Sequence, residues 1–178
     1  GEPSMMKVVT GHKGGIGFDV RVRGFEVHSS LLHIGVNAIM FGAKLINWCN
    51  EMNAENAARE PLEMDAKFVP PFTTLHVGMV TGGTAHNITA KDCNFVLTFR
   101  AVPGEPGQMW IDKFKAKVAQ ISAQMQAIHP DTGIDYEHKF AVPGLKPEVD
   151  GVAEDLARHL TCLLSTFDSA TPLLWFTL

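Results

Sequence analysis

The chain has 178 residues, 46% of them hydrophobic, with a formal net charge of −4. That length supports one domain with a real core, and the acidic balance argues against wholesale nucleic-acid binding. No apolar run reaches bilayer-spanning length, so neither nucleic acid nor membrane is expected as a partner.

Residues 7–11 and 15–23 read as one long first strand, bent at His12-Lys13-Gly14-Gly15. Phe18, Val20 and Val22 point one way, and Asp19, Arg21 and Arg23 the other. Gly24 breaks the strand. The stretch Gly24 to Ser30, G-F-E-V-H-S-S, then carries His28 between a strand end and a helix start, where two rigid elements place it. A first helix over 36–52 is expected to bury Val36, Ile39, Met40, Ala43 and Ile46. Residues 53–72 read as a loop ending in Pro70-Pro71, with room for some helix. A second strand over 74–80 puts Leu75, Val77 and Met79 on one face, and Gly82-Gly83 turns the chain towards Asn87. A third strand over 93–101 buries Phe95, Leu97 and Phe99, leaving Asn94, Val96, Thr98 and Arg100 on the opposite face. Glu105-Pro106-Gly107 leads into a second helix striped by Trp110, Phe114, Val118, Ile121, Met125 and Ile128, which Pro130 stops. A fourth strand over 134–142 alternates Tyr136, His138, Phe140 and Val142 with Glu137, Lys139 and Ala141. A short third helix over 152–160 follows.

The order is β-α-β-β-α-β. It predicts an α+β, two-layer sandwich of ferredoxin-like form: a four-stranded antiparallel sheet with two helices on one face and a polar, free second face. The start, Gly1-Glu2-Pro3-Ser4-Met5, lacks the look of a signal peptide. The three cysteines, Cys49, Cys93 and Cys162, are odd in number, far apart and without a C-x-x-C pair. Free thiols in a reducing compartment, hence the cytoplasm, fit them best.

No self-sufficient catalytic motif is present. There is no H-E-x-x-H, paired glutamates or G-x-S-x-G, and the histidines are scattered. Three polar positions stand out as a set: His28 after the first strand, Asn87 after the glycine turn, and Arg100 on the free face. An imidazole, an amide and a guanidinium suit a carboxylate and an amide oxygen. The ordinary readings are a capping histidine, a turn asparagine and a solvated strand arginine.

Motifs in order carry a resemblance. They are G-E-P-S at 1–4, H-K-G at 12–14 leading to V-R-G-F-E-V-H-S-S at 22–30, G-V-N-A-I at 35–39, and G-G-T-A-H-N-I at 82–88 with F-R at 99–100. The chain resembles the lid, or dimerisation, domain of the dizinc aminoacylase and exopeptidase family, nearest to its acetylornithine deacetylases. The resemblance implies a hydrolase of N-acyl amino acids such as N-acetylornithine, with two zinc ions in a larger catalytic domain. It implies a metal ligand at Glu2, and a homodimer through the lid in which His28 reaches the partner's active site and stabilises the oxyanion. Asn87 and Arg100 would bind substrate, Arg100 its carboxylate. Residues 1–6 would then end a catalytic-domain segment, 7–147 form the lid, and 148–178 add a helix and an atypical apolar tail. The family's other zinc ligands have no counterpart here, so the chain alone is expected to bind no zinc and to be inactive. After Leu160, the run ending L-L-W-F-T-L is unlike the family. It reads either as a foreign tail or as one more element on the core. The alternative function is a non-catalytic module for self-association or protein interaction.

Overall fold

The computed structural model describes residues 8–148 and 151–168, the last eight by backbone alone. Four strands, β1 (Gly14–Arg23), β2 (Thr74–Gly82), β3 (Asp92–Ala101) and β4 (Gly133–Val142), pair antiparallel in the order β2-β3-β1-β4. Helices α1 (Ala38–Ala58) and α2 (Gly107–Gln126) supply the second layer. This is the expected α+β arrangement. The two central strands alternate as the sequence does: Phe18, Val20 and Val22 lie opposite Leu97, Phe95 and Cys93, and all six are buried. Helix α2 covers them with Trp110, Phe114, Val118, Ile121 and Met125, a stripe that holds its spacing along the whole helix. Phe18 stacks on Phe114 with ring centres 4.3 Å apart. Burying such rings removes apolar area from water, worth about 1.5–3 kcal/mol for each side chain. Ile128, expected on this stripe, lies past the helix end and is exposed.

Four sequence readings are corrected. Residues 8–11 form no strand. The chain there meets the sheet's far end through one bridge, in which His12 and Leu145 exchange backbone hydrogen bonds of 3.2 and 2.9 Å. Helix α1 runs on to Ala58, through residues read as loop, and α3 (Val152–Asp168) likewise outlasts its predicted end. The buried face of α1 is Ala38, Gly42, Leu45, Trp48 and Cys49, while Ile39, Met40 and Ala43 face outward. Two stripes competed, and the one with small residues won because it lets the helix approach the sheet. A Cβ at Gly42 would sit 3.2 Å from Cys93 Sγ and 3.4 Å from the Phe95 ring.

The fourth correction concerns two bulges. Between Val77 and Val80, two residues of β2 oppose Val96 alone, and Met79 turns away from the core to 70% exposure. On β4, Phe18 pairs with His138 but Gly17 pairs with Phe140, so Lys139 and Phe140 together oppose one residue. Tyr136 and His138 stay on the helix side, against Phe18. Phe140 crosses to the free face. That face carries a groove of about 500 Å³, whose lining includes Asp19, Arg21, Met79, Asn94, Val96 and Glu137. Glu2, Leu173, Leu174, Trp175 and Phe176 lie outside the described residues.

Candidate functional site

Gly24 ends β1 where the backbone squeezes between two others. A Cβ there would lie 2.2 Å from the Val36 carbonyl oxygen and 2.4 Å from that of Ala90. Only glycine fits so close an approach. From this point the segment after β1 is laced to the segment after β2. Gly24 N–H donates to Lys91 O at 2.7 Å, Thr89 N–H to Val27 O at 2.9 Å, and Ser29 N–H to Asn87 O at 2.8 Å. The buried Thr89 hydroxyl completes the lacing: it accepts from Val27 N–H at 2.8 Å and donates to Phe25 O at 2.9 Å. Backbone groups at such loops must be paired somewhere, and here they pair with each other. His28 and Asn87 are thus fixed side by side at one end of the sheet, both exposed.

His28 caps a single 3-10 turn, Ser29–Leu31. Its Nδ1 accepts from Ser30 N–H at 3.3 Å and lies 2.9 Å from Ser30 Oγ. A backbone N–H donates only, so Nδ1 must present its lone pair to it. In the neutral ring the proton then sits on Nε2, the nitrogen that faces away from the turn. The ordinary reading of His28 as a capping residue is thus met, with Ser30, two residues on, as its partner. The Asn87 side-chain amide has no hydrogen-bond partner among the described residues.

Arg100 lies on the free face between buried Phe99 and Ala101, exposed, and without an ion-pair or hydrogen-bond partner among the described residues. It is far from the other two. Cys93 pairs with Gly82 at the His28 end of β3, whereas Arg100 pairs with Gly15 and Thr74 at the other. At roughly 3.3 Å per residue, the seven steps from Cys93 to Arg100 span about 23 Å. The three residues read together in the sequence therefore form one pair and one distant arginine within a single chain.

Other polar groups are spoken for. Glu105 accepts from the Trp110 indole at 2.9 Å and from Thr73 at 2.5 Å, and it pairs with Arg59 at 3.2 Å. This ties the end of α1 to the start of α2. Burial pushes the Cys49 thiol up to about 12, and burial with Asp92 nearby raises that of Cys93. Both stay protonated near neutrality and are poor nucleophiles. Among the described residues no group of three or more His, Cys, Asp or Glu could hold a metal ion, and no helix is long and apolar enough to cross a membrane. What the arrangement offers is an outward N–H donor, an amide and, separately, a cation, each facing solvent.

The peptidase dimerisation domain family matches residues 10–126. An acetylornithine deacetylase of Myxococcus xanthus is 29% identical over 162 residues, covering 87% of this chain and 42% of that protein. One from Salmonella arizonae is 35% identical over 104 residues, covering 58% of this chain and 26% of its own length. The crystal structure of the aminopeptidase PepT from Bacillus cereus superposes with a TM-score of 0.62 at 21% identity, over 88% of this chain and 37% of that one. The chain thus spans less than half the length of the curated relatives it matches.

Proposed function

The chain belongs to the peptidase dimerisation domain family, and on that premise we propose that it is the lid and dimerisation unit of a zinc-dependent amidohydrolase that removes the acyl group from an N-acyl amino acid such as N-acetylornithine. The acetylornithine deacetylases among its relatives support that substrate class. One observation carries the reading. His28 and Asn87 sit at one end of the sheet and Arg100 at the other, with about 23 Å of β3 between those ends, so one small substrate meets all three only if two chains contribute.

The residues then take these roles. Arg100 receives the substrate carboxylate, and its unpaired fork suits two parallel hydrogen bonds. Asn87 donates to or accepts from the amide. His28, from the second copy, aims its Nε2–H at the carbonyl oxygen. When a nucleophile supplied by the catalytic half adds to that carbonyl, the π electrons move onto oxygen, and a preset donor stabilises the charge. Such a donor typically contributes a factor of about a hundred or more in rate. An imidazole already held by its cap needs no reorganisation at that moment.

Zinc belongs to this proposal through the resemblance, with Glu2 as a ligand. The described residues do not fit a metal site, so the ions are assigned to the catalytic half, and no step above passes through them. The second copy is placed along β2. That strand is an open edge of the sheet, exposing Met79 and Val80, and α1 exposes Ile39 and Met40 close by, Ile39 Cδ1 lying 3.2 Å from where a Gly83 Cβ would be. An unpaired strand edge beside apolar side chains suits pairing with another copy. Residues 7–147 as the lid, and a cytoplasmic location for its unpaired thiols, complete the reading.

The test is a chimera in which this chain replaces the lid of a full-length relative. The chimera should hydrolyse N-acetylornithine, and His28→Ala should lower kcat about a hundredfold with little change in KM. Full activity of that variant would sink the role of His28. A purely non-catalytic module would give a dimer by sedimentation but an inert chimera.

A further inference from the structure

The alternation of β4 groups Phe140 with Tyr136 and His138, and the β4 bulge moves it to the face that holds Arg100. There its ring lies flat across two strand residues that have no side chains. A Cβ at Gly17 would meet the ring at 2.3 Å, and one at Gly15 would lie 3.3 Å from both the ring edge and Arg100 Nη1. The guanidinium and the ring therefore face each other across the empty place of one missing side chain. Phe140 is 41% exposed there. Thr98 and Thr74 neighbour Gly17 and Arg100 across the ladder, so short side chains surround this corner. An aromatic laid over strand glycines also stabilises a sheet. That role needs no cation beside it.

We propose that Phe140 is a specificity-determining wall: a substrate whose carboxylate meets Arg100 lays its side chain on this ring, so that apolar surface is selected over short polar groups. The inference rests on the assignment of Arg100 to the carboxylate and names what lies next to it. A carboxylate on the guanidinium projects the adjoining substituents within a few ångströms, the distance to the ring. Displacing water from an apolar ring favours an apolar substituent, and one such contact in a pocket discriminates by roughly tenfold or more.

The experiment titrates the 178-residue chain with N-acetyl-L-phenylalanine and with N-acetyl-L-serine, following the Arg100 Nε–H and the 13C-labelled Phe140 ring by NMR. Both ligands should shift Arg100, and N-acetylphenylalanine should saturate it at roughly tenfold lower concentration while also shifting the ring. Phe140→Ala should abolish the preference and keep the Arg100 response. Gly17→Ala offers a second handle, since its new methyl swings the ring away without removing it, and it should reduce the preference too. Equal affinities in the parent chain, or a preference that survives both substitutions, overturns the wall. If neither ligand shifts Arg100, the carboxylate assignment itself falls, and the wall falls with it; a response of Arg100 without selectivity leaves that assignment standing and removes the wall alone.

Discussion

Thr89→Val tests whether one buried hydroxyl holds the two loops together. The change is nearly isosteric, so it opens no cavity. It removes the acceptor of Val27 N–H at 2.8 Å and the donor to Phe25 O at 2.9 Å. Thr89 is 2% exposed, so water does not readily replace the hydroxyl. A buried backbone group left unsatisfied costs about 1–3 kcal/mol. The N–H is the more exacting of the two, because Phe25 O keeps its bond from Val36 N–H at 3.1 Å. A loss of about 2–3 kcal/mol in total follows. For a chain of this size that lowers Tm by roughly 5–10 °C. Urea unfolding gives the free energy, and amide exchange at Val27, Ser29 and Gly24 locates it. Thr98→Val is the control, since its one hydroxyl bond is exposed and 3.4 Å long; it should stay within about 0.5 kcal/mol. If Thr89→Val matched that control, or if the Ser29 amide kept full protection, the lacing would not be what positions His28 and Asn87.

Three further outcomes are expected. Gly24→Ala forces its methyl onto two carbonyl oxygens at 2.2 and 2.4 Å, and since neither backbone segment yields cheaply it should cost at least about 2 kcal/mol in urea unfolding; a neutral result would mean the strands are not that close. The imidazole 15N shifts of His28 at a pH where the ring is neutral should report a protonated Nε2 and a bare Nδ1, and the opposite tautomer would remove its role as an outward donor. Stability should fall as pH rises from 9 towards 12. The folded Cys49 thiol holds its proton to about 12 against an ordinary 9.0, so the unfolded chain ionises first, contributing about 1.4 kcal/mol per pH unit in that window. Denaturation of Cys49→Ala should lack this component, and identical slopes would show the thiol to be hydrated.

The architecture could be read from the chain because its signals agreed. The alternation of Phe18, Val20 and Val22 and the long stripe of α2 each name one face and one period. Where two signals competed, the reading went astray. Helix α1 has a bulky apolar stripe through Ile39 and Met40 and a smaller one through Ala38 and Gly42, and counting hydrophobicity favours the first, while sheet-to-helix distance decides for the second. Bulges are invisible to a period-two pattern, so Met79 and Phe140 were each grouped with residues of the opposite face. The identities of His28, Asn87 and Arg100 were apparent, but the span of β3 that separates them is a property of register. Ser30 as the partner of His28 was signalled only by its position in the turn.

The bridge between His12 and Leu145 has a consequence for how such a unit is carried. The chain enters the sheet and leaves it side by side, as an antiparallel pair roughly 5 Å apart. A module with both leads at one corner splices into a surface loop of a host without prying the host open.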